Sequence, residues 1–90
     1  MSSNEIKSTL SQRGAEYGSF EKVADTTLGL LKALKKGSSF KKMSKADKVA
    51  LFMVCNKLSR LVNGKKKDDT LLDIQGYVQL MRESNKKDLQ

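Results

Sequence analysis

The side chains with the most chemistry lie in one stretch, Lys57-Leu-Ser-Arg-Leu-Val-Asn-Gly-Lys-Lys-Lys-Asp-Asp-Thr-Leu-Leu-Asp-Ile-Gln-Gly-Tyr77. Lys57 and Arg60 are three apart, and Asp69, Asp73 and Tyr77 are each four apart, so each set shares one helix face. Two antiparallel helices joined by a short turn set such faces against each other, so bases, carboxylates and a phenol meet. The arginine fork matches phosphate oxygens, and lysine adds a point charge. Upstream, Arg13-Gly-Ala-Glu-Tyr-Gly18 adds a third base and a second phenol between two glycines. Arg13, Lys57 and Arg60 can hold phosphates. Tyr17 or Tyr77 can stack on a base, and Asp73 can orient a guanidinium or a sugar hydroxyl. The same atoms also make an ordinary interhelical network, in which Lys57 or Arg60 pairs with Asp73 and Tyr77 hydrogen-bonds to the pair. The alternative for Tyr17 is a plain helix–turn–helix connection in which it packs as a lid on the core.

Other chemistries are narrower. The chain has no histidine, which removes Ser-His and Cys-His catalysis and the common zinc sites. Hydrolysis would need carboxylates and a hard cation such as Mg²⁺. The available acids are Glu21 and Asp25 on one helix, and Asp69 and Asp73 on another. Two helices each bringing two acids resemble the helical nucleotide pyrophosphohydrolases of the MazG type, although the Glu-x-x-Glu pairs of that class are missing. Lys57 and Arg60 also crowd a cation site, so binding without a metal or other cofactor ranks above catalysis.

Ninety residues make one small domain, with 38% apolar residues. A core of that size is marginal by itself, and oligomerisation is a common remedy. Net charge is +8, from 18 basic and 10 acidic residues, which suits an anionic partner. Cys55 is the only cysteine, and no apolar run approaches the roughly 20 residues of a membrane span, so a reducing cytoplasm is expected.

The elements that must position these residues are helical, since no stretch alternates as a strand does. Ser3 or Asn4 can cap a first short helix with Ile6 and Leu10 on its edge, ending or kinking at Gly14. Ser19 can cap a second, whose core stripe is Phe20, Val23, Ala24, Thr27, Leu30, Leu31 and Leu34. Gly37 breaks it into a lysine-rich loop that Phe40 interrupts. Ser44-Lys-Ala-Asp47 has capping-box spacing and opens a third helix to about Val62. Residues 49 to 55 are apolar on every side, which predicts a central helix buried all round. Asn63-Gly64 stops it, with Gly64 expected in the left-handed conformation. Asp68 or Asp69 can cap the fourth helix, whose stripe is Leu71, Ile74, Val78 and Met81. Gly76 within it implies close approach by a helix or ligand. A polar tail spans about 84 to 90.

Gln12-Arg-Gly-x-x-Tyr-Gly18, Asp47-x-Val-Ala50, Lys57-Leu-x-Arg-Leu61 and Asp69-x-x-x-Asp-Ile-x-Gly-Tyr77 follow in order. This ordered set, over roughly residues 8 to 82, resembles a small family of helical proteins carried by bacteriophages and prophages. Ser19 stands where that family often has His or Asp, and its second-helix Trp is absent. The resemblance implies a phage protein acting in the host cytoplasm, where such proteins manage nucleotides, sequester the nucleotide signals of immune systems, or block a host protein.

The sequence thus predicts an all-α bundle of about four helices that forms a homo-oligomer through the third. It would bind an anionic nucleotide-type ligand at Arg13, Tyr17, Lys57, Arg60, Asp73 and Tyr77, without turnover. The alternative is a Mg²⁺-dependent nucleotide pyrophosphohydrolase using Glu21, Asp25, Asp69 and Asp73. A third possibility is a basic module that binds nucleic acid or a host protein through lysine loops at 35–48 and 64–67. A membrane is not among the expected partners.

Overall fold

Residues 3–84 are described by a computed structural model. The elements are α1 (Ser3–Tyr17), α2 (Phe20–Leu34), a single 3₁₀ turn (Phe40–Lys42), α3 (Lys45–Asn63) and α4 (Asp68–Ser84), with no strand among the described residues. The all-α expectation is met. α2 and α4 pack along α3 on different sides, so α3 is the central helix that its apolar content predicts. The molecule is elongated, at 51 × 25 × 24 Å. No helix among the described residues is long and apolar enough to cross a membrane.

Helix starts follow local rules. Ser19 and Ser44 have extended backbones, and their hydroxyls accept from the N–H groups of Lys22 (3.3 Å) and Asp47 (3.1 Å). The connection at 35–44 is held by Phe40, which is half-buried with the Lys48 ammonium 5.5 Å from its ring centroid. At the start of α4 the expectation fails. Asp68 and Asp69 are already helical, and the Lys67 carbonyl accepts from Thr70 and Leu71. Their carboxylates act on the positive end of the helix instead. Ser3 and Asn4 likewise lie inside α1. Ser84 is the last residue of α4, so the expected tail beyond it lies outside the described residues.

The glycines divide differently from the sequence reading. Gly14 neither ends nor kinks α1, which continues to Tyr17. Gly18 ends it, at φ 89°, donating its N–H to the Gly14 carbonyl at 2.9 Å. Gly64 closes α3, but at φ −135°, not in the left-handed region. A side chain there would collide with the backbone of Glu16 and Tyr17. Gly76 faces open space, so no close approach explains it.

The core is thin. Its buried apolar residues are Val23, Ala50 and Cys55, and its buried polar ones are Thr27, Asp47, Ser59 and Thr70. The Thr27 hydroxyl lies 2.9 Å from that of Ser59, joining α2 to α3. The stripes are less covered than periodicity implies. In α2, Phe20 is 85% exposed, and Leu30 and Leu34 are also open. In α3, Val49 and Phe52 are exposed, so the helix is central but not buried all round. In α4, Val78 is exposed while Thr70 takes a buried place. Helical periodicity gives the direction of a stripe. It does not say how far a neighbouring helix extends along it.

Candidate functional site

The turn after α1 and the turn after α3 are locked together. The Lys65 N–H donates to the Glu16 carbonyl at 2.7 Å, and the Lys67 ammonium lies 2.9 Å from the Glu16 carboxylate. Tyr17 is held between the two turns. The Arg60 guanidinium lies 4.8 Å and the Lys67 ammonium 5.2 Å from its ring centroid, both within cation–π range. The hydrogen bond from Lys67 holds the Glu16 carboxyl below its ordinary range, against partial desolvation. The same bond raises Lys67 above the usual lysine value.

This junction shapes two adjoining hollows. One, of about 410 Å³, is lined by Thr9, Gln12, Arg13, Glu16, Tyr17 and Arg60. The other, of about 440 Å³, is more apolar, with Leu10, Phe20 and Val23 on its walls beside Asn56. Arg13, Tyr17 and Arg60 line both and form the divide between them. Among the described residues, Glu16 is the only carboxylate on either wall, and Lys67 engages it. Among the described residues, neither Arg13 nor Arg60 forms a salt bridge.

The six expected site residues therefore separate. Arg13, Tyr17 and Arg60 come together. Lys57 and Asp73 form an ion pair at 3.0 Å between α3 and α4, with the Lys57 side chain 14% exposed. Neither lines these hollows. Tyr77 is elsewhere, in a third hollow of about 520 Å³ between the start of α3 and the end of α4, beside Ala50, Leu80 and Met81. The interhelical reading of Lys57 and Asp73 is the one their geometry fits, without Arg60 or Tyr77. The stacking role of Tyr17 also changes. Its ring is already engaged by Arg60, which it orients.

The carboxylates of the hydrolase reading do not assemble. Glu21 and Asp25 lie on α2, Asp69 and Asp73 on α4, and these helices are separated by α3. Among the described residues, no three Asp, Glu or Cys side chains are placed to hold a metal ion. Asp73 is committed to Lys57. Cys55 is buried, and burial pushes its thiol pKa up, away from nucleophilic use.

Gln12, Glu16, Phe20 and Lys67 belong to the site region but were not expected there. Glu16 and Lys67 are 51 residues apart, and no local pattern links them. The available signal was the pair Gly18 and Gly64, which mark where two turns touch. Phe20 follows the Ser19 cap, and a stripe residue at the start of a helix is the one least covered by its neighbours.

Fold and site together define a basic, all-α protein with an arginine-lined cleft between its first and third helices. Residues 4–85 match the family model described as Domain of unknown function (DUF6378), and the chain belongs to that family. No curated protein and no solved structure matches it.

Proposed function

We propose that the cleft between α1 and α3 binds an anionic, nucleotide-type ligand without turning it over. One observation carries this reading. Among the described residues, two guanidinium groups with no salt bridge, Arg13 and Arg60, stand on walls whose only carboxylate is neutralised by Lys67. A polar hollow beside an apolar one suits a ligand that is charged at one end and flat and apolar at the other. Phosphate oxygens would meet Arg13 and Arg60, with Gln12 and Thr9 as neutral partners. A base would lie against Leu10, Val23 and the open ring of Phe20. The resemblance to phage-borne helical proteins supports a setting in a bacterial host's cytoplasm, where such binding would sequester a nucleotide signal.

The test mixes purified protein with nucleoside triphosphates and cyclic dinucleotides, with and without Mg²⁺. Bound material is separated, released by heat and identified. The expected result is intact ligand, retained with chelator present and weakened roughly tenfold or more by Arg13→Ala or Arg60→Ala. Retention unchanged in both variants, or no retention at all, would overturn the proposal. Mg²⁺-dependent release of monophosphate and pyrophosphate would replace it with the hydrolase reading.

A further inference from the structure

The chain exposes 6994 Å² of surface. A folded monomer of 10.0 kDa exposes about 5,200 Å², so the surplus is about 1,800 Å². Each subunit of an obligate homodimer buries roughly 1,000 to 2,500 Å², and the surplus falls in that range.

Helical spacing shows where one apolar share of it lies. In α3, Ser59 faces α2 through Thr27, and Lys57 faces α4 through Asp73. Between these directions stand Leu51, Leu58 and Val62, with no charged residue at 51, 54, 55, 58, 61 or 62. Leu58 and Val62 come two residues before and after Arg60, roughly 160° around the helix from it. This face is therefore opposite the cleft. The same spacing puts Leu28 on the α2 side of this strip and Val78 on the α4 side. All four are open: Leu28 60%, Leu58 38%, Val62 73% and Val78 47% exposed.

We infer that a second copy of this chain packs on this face, with α3 against α3 about a two-fold axis. Such a contact is self-complementary, as a two-fold interface requires. It covers aliphatic residues that the thin core leaves in water, and it leaves both arginine clefts facing outward. The inference is independent of what the clefts bind.

Sedimentation of the full chain across the micromolar range tests it. The wild type is expected at twice 10.0 kDa. Val62→Lys and Leu28→Lys, at positions already open in the single chain, are expected to sediment as monomers with helical circular dichroism kept. Leu72→Lys, equally open but on the far side of α4, is expected to leave the dimer intact. Should a lysine variant unfold, wild-type melting decides: an obligate dimer melts higher at higher concentration, and a monomer does not. A wild type that is monomeric throughout, or a dimer that survives both lysine variants, would overturn the inference. A monomer that floats with phosphatidylcholine vesicles would overturn it in favour of a lipid surface.

Discussion

Gly18 and Gly64 face each other across the junction of two turns, and neither position has room for a side chain. A Cβ at Gly18 would strike the backbone of Asn63, and one at Gly64 would strike Glu16 and Tyr17. The close approach lets the Lys65 N–H reach the Glu16 carbonyl. It also sets Tyr17 beside Arg60, so the shape of the cleft depends on two missing methyl groups.

Alanine at four of the six glycines, Gly14, Gly18, Gly64 and Gly76, should therefore split by sign. Gly64→Ala meets rigid backbone and is expected to cost roughly 1–3 kcal/mol. Gly18→Ala adds a strained φ and should cost at least as much. Gly14 and Gly76 are helical with nothing within 4 Å, so alanine there should gain about 0.5–1 kcal/mol. Urea unfolding of all four measures this. Destabilisation by Gly76→Ala would show that something unrecognised lies against that face.

A buried hydroxyl pair, Thr27 and Ser59, joins α2 to α3 beside the hydrogen bond from the Asn63 amide to the Thr26 hydroxyl. Ser59 is fully buried and donates to the Cys55 carbonyl at 2.7 Å, while the Thr27 hydroxyl lies 2.7 Å from the Val23 carbonyl. Thr27→Val keeps the shape and removes the hydroxyl, with an expected cost of about 1–2 kcal/mol. Ser59→Ala should cost a similar amount. The double variant should cost less than the sum, because each change alone strands part of the same network. Additive costs in a double-mutant cycle would mean that the two hydroxyls act separately.

Much of the architecture could be read from local signals. Ser19, Ser44 and Asn63-Gly64 mark real helix ends, and the apolar density of 49–55 marks the central helix. Three of the six expected ligand-binding residues, Arg13, Tyr17 and Arg60, line one hollow together. The failures share a physical cause. Whether Val49, Phe20 or Val78 is covered depends on how far a neighbouring helix extends, which periodicity cannot encode. Lys57 and Arg60 share a face by spacing, yet Lys57 turns to α4 and Arg60 to α1. A face roughly a third of the helix wide can serve two neighbours.

Acid should loosen the junction through Glu16. Its carboxyl is held below the ordinary range by Lys67 in the folded state. Its contribution is therefore present above the unfolded glutamate value and lost as pH falls through the depressed folded one. Lys67 is raised, so its share is present below the ordinary lysine value and lost as pH rises through the raised one. Glu16→Gln is expected to flatten the fall in melting temperature below about pH 5. Both side chains are about a third exposed, so salt should shrink the effect. An unchanged pH profile in Glu16→Gln would mean that the pair contributes nothing to the fold.

Asp73 separates a structural role from a binding one. Its carboxylate pairs with Lys57 at 3.0 Å, but its own side chain is half exposed and outside both arginine-lined hollows. Asp73→Asn leaves the nearly buried Lys57 ammonium without its counter-charge. The expected loss is about 1 kcal/mol, near the upper end for exposed pairs, because one partner is still solvated. Lys57→Met removes the stranded charge, so the double variant Lys57→Met, Asp73→Asn should recover part of that loss. Neither change should alter retention of an anionic ligand, whereas Arg60→Ala should, with a loss of stability no larger than the about 0.5–1 kcal/mol of its contact with the Tyr17 ring. If Asp73→Asn abolished binding while the fold held, the site would have to extend to α4, and the cleft between α1 and α3 would be only part of it.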